Sequence, residues 1–376
     1  MRIARAGSGT RSRARLPVPR RIAPPLVCAA PVVRRILFTG LALGPIVVAL
    51  HFLTNIGDTA LFVLSALALI PLAWLIGEAT EHAAVHTGPG IGGFLNATFG
   101  NAPELIIALI AVNEGLTQVV RGSLAGSVVG NLLLVLGFSL FAGGRGEIER
   151  WSSFLSFGLI ALAIGLFLIP SIPSWDGDPD AQRIVDLSVP VAIALLIVYV
   201  AVTVYMLRRH RTVHVSSDEE ISAWSFRASL AVLGVATVVT AMVAETLVGS
   251  LEEFAHKAGL SDFFVAAVIV AIVGNAAEHG GAVIVAYRGK IKLAAEIALS
   301  SSAQVAVFLI PAVTLLAWLI DPLALGFRKV EIGALALSLA IVMVTIWGGV
   351  SSRFRGAILI AAYIGVATMF FVAGDG

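Results

Sequence analysis

The string Gly100-Asn101-Ala102-Pro103-Glu104 returns 174 residues later as Gly274-Asn275-Ala276-Ala277-Glu278, each copy inside a strongly apolar run. Each copy sets a carboxylate and an amide at roughly mid-membrane depth, where charge is costly and usually functional. Asn and Glu three residues apart share one helix face. Gly100 and Gly274 can loosen the local helix and free carbonyls as ligands. Further along, Ser127 and Ser301 keep the same spacing, and Gly130 corresponds to Gln304. Asn131 and Ser302 lie beside them. The inventory is two carboxylates with amide and hydroxyl oxygens, and no thiolate cluster. Hard oxygen ligands suit Ca²⁺, which takes about 6–8 of them, better than Zn²⁺ or copper.

Two neighbouring carboxylates away from water also bind protons when no cation is present, because their charges repel. A divalent cation neutralises both charges and displaces those protons. Two protons against one Ca²⁺ is the simplest exchange at such a site, and the pair titrates as a unit. No Lys lies in mid-helix to neutralise either Glu permanently, which favours an exchangeable partner. One lone Glu could be a hydrogen-bonded interior residue. Two in matched contexts make that reading weak.

Other polar residues carry less. His279 follows Glu278 and either relays protons or packs as a neutral ring. Glu78 and Glu81 end one apolar run, Glu252 and Glu253 follow another, and Glu245 lies deeper in the latter. They read equally as entrance or gate carboxylates and as interfacial side chains facing water. Glu81, His82 and His86 invite a metal-enzyme reading, since the histidines are at i, i+4. They lack the His-Glu-x-x-His order and sit at a helix end.

The elements that position these residues must cross a membrane. The 376 residues are 58% apolar and 13% charged, with a mean hydropathy of +0.97. A soluble domain usually carries about 25% charged residues. Apolar runs near the required ~20 residues predict eleven spans, at 36–54, 59–81, 91–112, 119–142, 152–170, 187–207, 226–250, 262–287, 291–319, 330–347 and 356–374. Shifting the chain by 174 lays the second to sixth spans near the seventh to eleventh and leaves the first without a partner. Five spans per half is odd, so the second half sits upside down relative to the first. The expected fold is an all-α polytopic membrane protein of two inverted-topology five-helix repeats plus one extra N-terminal helix. Its parts are a basic tail (1–35), the extra helix (36–55), the first repeat (56–207), a linker (208–225) and the second repeat (226–376).

Charge orients this arrangement. Residues 1–35 hold nine Arg and no Asp or Glu. With that tail cytoplasmic, 20 Lys and Arg fall on the inner side against 5 on the outer, as the positive-inside rule expects. The C-terminus is then outside. The tail reads as a disordered basic segment on anionic lipid, as an organellar transit peptide, or as a mis-assigned start. The linker reads as a solvated loop. Asp176, Asp178 and Asp180 alternate like the start of an EF-hand loop, but Ala181 and Leu187 stand where its Gly and Glu belong. An acidic outer loop that weakly concentrates cations fits better. The lone Cys28 forms no intrachain disulfide.

At the repeated strings the chain resembles the cation/proton exchanger (CAX) branch of the Ca²⁺/cation antiporter superfamily. The motifs that carry the resemblance are Gly274-Asn-Ala-Ala-Glu-His279, Gly100-Asn-Ala-Pro-Glu-Leu-Ile-Ile-Ala-Leu109, and the block from Ser123 to Gly137. The resemblance covers the second to eleventh spans. It implies a Ca²⁺/H⁺ antiporter with ten core helices and one extra. It also implies that Glu104 and Glu278 carry cation and protons, while Asn101, Asn275, Ser127, Ser301 and Gln304 help line the site. Pro103 is closer to the Na⁺/Ca²⁺ branch, whereas the histidine-bearing second motif favours protons. Glu296 and Ser300 stand where the family tends to have Gly, and Lys292 where it tends to have Asp.

The leading expectation is a secondary antiporter, not an enzyme, that exchanges Ca²⁺ for H⁺ by alternating access and needs no cofactor. A Na⁺/Ca²⁺ exchanger is the alternative; a membrane-embedded metal hydrolase and a channel are remote ones. The lipid bilayer, Ca²⁺ and H⁺ are the expected partners, with no nucleic acid or nucleotide. No Gly-x-x-x-x-Gly-Lys-[Ser/Thr] string is present. Compact length and short loops point to a bacterial cytoplasmic membrane. The sequence assigns no oligomeric state.

Overall fold

The computed structural model describes residues 31–175, 181–210, 224–320 and 326–374. The tail up to residue 30, the middle of the 208–225 linker, and Asp176, Asp178 and Asp180 lie outside the described residues. The first crossing pairs α1 (Pro31–Gly40) with α2 (Leu43–Leu53), so Arg34 and Arg35 belong to a helix rather than to the tail. Then come α3 (Asp58–Phe99), α4 (Ala102–Asn113) and α5 (Thr117–Val129). A π-helical segment, Gly130–Val135, joins α5 to α6 (Leu136–Gly143). After β1 (Gly146–Glu147) follow α7 (Arg150–Ser174), α8 (Ala181–His210) and α9 (Phe226–Gly249). The next elements are short: α10 (Leu251–Ala258), α11 (Asp262–Phe264), a π segment Val265–Val270, and α12 (Ala271–Gly274). The chain continues as α13 (Ala276–Tyr287), α14 (Ile291–Gln304), a π segment Val305–Leu309, and α15 (Ile310–Ala317). It closes with α16 (Lys329–Ile346), β2 (Val350–Ser351) and α17 (Arg353–Ala373).

Among the described residues, nine helices are long and apolar enough to cross a membrane, or ten if Leu251–Ala258 and Asp262–Gly274, bent by 109°, form one span. The expected eleven are not reached by this measure. The difference lies at 91–112 and 262–287, which both break at the repeated string. Asn101 (φ −102°, ψ 15°) and Asn275 (φ −91°, ψ 5°) leave the helical region. Each break is followed by a 12-residue helix, about 18 Å long against a hydrocarbon core about 30 Å thick. In addition, Thr87-Gly88-Pro89-Gly90, expected as a connection, stays inside the 42-residue α3. These residues break helices in water, where solvent competes for the backbone. Membrane helices tolerate both Gly and Pro.

The 174-residue period persists in the backbone. α4 and α13 start and stop in register, as do α6 and α15, and α5 and α14 start in register. Gly115 (φ 74°) and Gly289 (φ 81°) close equivalent Schellman turns. Leu116 N–H donates to Ala111 O (2.8 Å), and Lys290 N–H to Val285 O (3.2 Å).

Equivalent spans run in opposite directions. Thr117–Gly143 and Ile291–Ala317 are each one continuous crossing. The end of the first meets the start of the second, where a Cβ on Gly143 would lie 2.6 Å from Ile291. The start of the first meets the chain beyond the second, where Arg121 Nη1 donates to Gly326 O (2.9 Å). Antiparallel packing of equivalent elements is the signature of an inverted repeat. These two crossings are also the innermost. Their most apolar windows are 83% and 67% buried, against 28% for Gln182–Met206 and for Arg353–Ala373. One apolar core, including Leu132, Phe263, Val305 and Phe370, runs through both halves. Large side chains such as Phe52, Val235, Val344 and Val372 face outward, as a lipid-facing surface requires.

α5 reaches this depth through Gly122 and Gly126, a small-xxx-small stripe that lets backbones touch. A Cβ on Gly126 would stand 2.0 Å from Ala267 O, whereas one on Gly158 meets nothing within 4 Å. Gly126→Ala is therefore expected to lower stability by about 1–3 kcal/mol or more through overpacking. Gly158→Ala should change it little. Thermal unfolding of the two variants in detergent checks the contrast.

Candidate functional site

Both breaks put a glutamate at a helix start. Glu104 lies in the first turn of α4 and Glu278 in the first turn of α13. Neither Asn101 nor Asn275 caps its helix with its side chain. The first N–H groups of each helix thus keep their positive end directed at the carboxylate. Interrupted helices with their starts at the site supply electrostatic stabilisation without a fixed cation.

The crossing of the two innermost spans supplies neutral partners. Asn275 Nδ2 donates to Ser127 Oγ (2.9 Å) and to Ala271 O (3.1 Å). Asn131 Nδ2 donates to Ser301 Oγ (3.2 Å) and, at the longest distance of the set, to Asn275 Oδ1 (3.5 Å). Ser301 Oγ donates to Glu278 Oε2 (2.5 Å). Ser127 and Asn131 come from the first half, and Asn275, Glu278 and Ser301 from the second. The polar chain therefore crosses the repeat boundary three times.

Glu104 enters from the other side. Its side chain packs on Gly274, where a Cβ would come within 3.3 Å of Glu104 Cγ and 3.5 Å of Oε1. That glycine lets the carboxylate of one half rest on the broken helix of the other. Gly274 stands four residues before Glu278, so this packing brings Glu104 against the break that carries the second carboxylate. Glu104 is buried and Glu278 half-buried. Among the described residues no hydrogen bond reaches Glu104 Oε2, Asn131 Oδ1 or His279 Nε2, all closed off from solvent. Two of these are oxygens with free lone pairs, which is what a hard cation needs.

The remaining sequence candidates divide. Asn101 is buried at the first break. Gln304 ends α14, half-buried, one turn beyond Ser301. Ser302 is buried but donates to Ala298 O (2.9 Å), a helix-internal bond. Glu78 is buried and tied to Arg34 Nη2 (2.8 Å), with His82 Nε2 3.9 Å away. Glu81 is half-buried beside them. His82 stacks on Trp224 at 4.6 Å, and His86 Nε2 lies 2.8 Å from Trp224 O. No group of three His, Cys, Asp or Glu arranged to hold a metal occurs among the described residues. Glu245, Glu252 and Glu253 are exposed, and Glu253 pairs with Lys257 at 2.7 Å. These acids are not gathered at the crossing.

Sequence reasoning undervalued Asn131. The residue 174 positions on is Val305, so Asn131 has no counterpart of its own type. Its signals in the sequence are an amide in the apolar run Val128–Leu136 and a place in the Ser123–Gly137 block. In the fold it is one of two amide donors, with Asn275, that join the halves. Asn131→Ala leaves Asn275 Oδ1 and Ser301 Oγ without that donor in a buried site. A loss of about 1–3 kcal/mol in unfolding free energy is expected. Thermal unfolding beside the exposed control Glu252→Ala checks it.

The family described as "Sodium/calcium exchanger protein" matches residues 58–208 and again 228–372. The chain is 38% identical to "Ca(2+)/H(+) antiporter ChaA" of Bacillus subtilis, over 90% of this chain and 99% of that one. It is 37% identical to "Vacuolar cation/proton exchanger 1" of Arabidopsis thaliana, over 83% and 72%. The solved structure of native YfkE superposes with a TM-score of 0.77 at 35% identity, covering 90% of this chain and 99% of that one. The chain is an integral membrane protein of the sodium/calcium exchanger protein family, and within that family it groups with the cation/proton exchangers.

Proposed function

We propose that the chain is a Ca²⁺/H⁺ antiporter in which Glu104 and Glu278 bind Ca²⁺ or protons in turn. The observation that carries this reading is that Glu104, from one half, packs on the broken helix that carries Glu278 in the other, while Glu278 joins a chain of neutral amide and hydroxyl groups. The printed names of the B. subtilis and A. thaliana relatives support it.

Each residue type has a task. With Ca²⁺ bound, both carboxylates are ionised and supply the charge that compensates the ion. Glu104 Oε2 and Asn131 Oδ1 have open lone pairs and join the ligand set. Ser127 and Ser301 act through the amide chain, because a hydroxyl can donate or accept as the occupant changes. Without Ca²⁺, protons replace its charge, and Ser301 remains bonded to Glu278. Only one kind of occupant fits at a time, which couples the two fluxes.

Alternating access suits antiparallel halves. A site midway between two oppositely directed spans can be uncovered from either end by equivalent motions of the two halves. With an odd number of crossings, the charge bias of the loops supports a cytoplasmic N-terminus and an outer C-terminus, with Ca²⁺ leaving as protons enter.

Purified protein in proteoliposomes tests the reading, with imposed pH or Na⁺ gradients. A pH gradient should drive opposed Ca²⁺ and H⁺ flux. Glu104→Gln and Glu278→Gln should each lower it by at least about 100-fold, since each removes an ionic ligand from a low-dielectric site. Half-saturating Ca²⁺ should rise as pH falls, because protons compete for the same oxygens. Flux driven by Na⁺ alone would make the protein a Na⁺/Ca²⁺ exchanger instead. Unchanged flux in both variants would remove the glutamates from the mechanism.

A further inference from the structure

Lys292 and Glu296 are positions where the chain departs from the cation/proton exchanger pattern, and the transport reading gives them no work. They lie one turn apart on α14, nine and five residues before Ser301. Both face the start of α7. Lys292 Nζ pairs with Glu149 Oε2, and Ser152 Oγ donates to Glu296 Oε1 at 3.4 Å. Glu296 and Glu147 add to the negative field on the Lys292 ammonium. Lys292 is 60% exposed and Glu149 41% exposed, so water and salt reach the pair.

The opposite end of the bundle holds a counterpart. There Arg121, near the start of α5, donates to Gly326 O just before α16. Moving Ser152 by 174 residues gives Gly326, and moving Glu296 back gives Gly122, the neighbour of Arg121. The same tie, from the start of a site helix to the start of the helix after its partner span, thus occurs in both halves. At the Arg121 end the charges are less exposed. Glu331 is fully buried and accepts from Arg328 Nε at 2.7 Å, and the Arg328 guanidinium lies 4.1 Å from the Phe263 ring. The α14 tie is the exposed one, so conditions can modulate it.

α14 needs such a tie. At its start, Ile291 packs under Gly143 and Gly146, each of which would place a Cβ 2.6 Å from it. A helix is stiff over the ~14 Å from Lys292 to Ser301, so rotation or sliding at its start moves the Ser301 hydroxyl off Glu278.

We propose that Lys292 and Glu296, with Glu149 and Ser152, form a positioning clamp that sets the register of α14 and so holds Ser301 against Glu278 and Asn131. The hydrogen bond from Lys292 keeps the Glu149 carboxyl below the usual carboxylate range. The pair is therefore intact at neutral pH and is lost as pH falls through that lowered value.

The transport arm of the test rests on the antiporter reading; the structural arm does not. Full-length wild type, Lys292→Ala, Glu149→Ala and the charge-swapped double variant Lys292→Glu/Glu149→Lys are compared. Amide hydrogen exchange over residues 295–301 should quicken about two- to fivefold in each single variant, the scale of an exposed ion pair. Half-saturating Ca²⁺ for flux should rise by a similar factor, with maximal rate kept within about twofold. The double variant should restore both. In choline chloride at about 1 M, wild type and Lys292→Ala should converge, because the Debye length is then about 3 Å. Unchanged amide exchange in the single variants, or no recovery in the double variant, overturns the clamp. If wild type shows no Ca²⁺/H⁺ flux, the antiporter reading falls and amide exchange alone decides the clamp.

Discussion

Everything in this fold is arranged around a hydrogen-bonded chain of side chains in a setting where no solvent can replace it. Ser127, Asn275, Asn131, Ser301 and Glu278 satisfy one another where the two innermost crossings meet. Leaving such groups unpaired in low dielectric is costly. The crossings must therefore meet at one register and one depth. The glycines of α5 permit the approach, the breaks at Asn101 and Asn275 turn helix starts inward, and Gly274 makes room for Glu104. Outer helices then enclose the pair and present apolar surface outward.

Depth and duplication were legible in the residues. Apolar runs located the crossings, and a five-residue string repeated at a fixed interval marked the paired half. Glu104, Glu278, Asn275, Ser127 and Ser301 could be singled out because each has a counterpart of its own type 174 positions away. Asn131 was legible only as an auxiliary candidate, because it breaks that correspondence. Its counterpart is a valine, and its importance depends on which side chains the antiparallel crossing brings opposite.

Helix limits were less legible for a related reason. Gly, Pro and Asn do not act alike in every medium. Gly88 and Pro89 leave α3 continuous, while Gly100-Asn101 ends it. Hydropathy sees apolar content and length, not the backbone angles that divide 91–112 into two helices. The tie between Arg34 and Glu78 was equally invisible. It joins residues 44 apart, and only the packing of α1 on α3 makes them neighbours.

Antiparallel equivalence has an energetic corollary. If the halves were identical, a twofold axis would exchange the form open to one face with the form open to the other. The two would then be equal in free energy, apart from the membrane potential and the solutions outside. Any standing preference must come from positions that differ across the 174-residue shift. Asn131 opposite Val305, and a buried Arg328–Glu331 pair at one end opposite an exposed Lys292–Glu149 pair at the other, are such positions. Directionality in this architecture is a property of its imperfections, and drift between the two halves is enough to tune it.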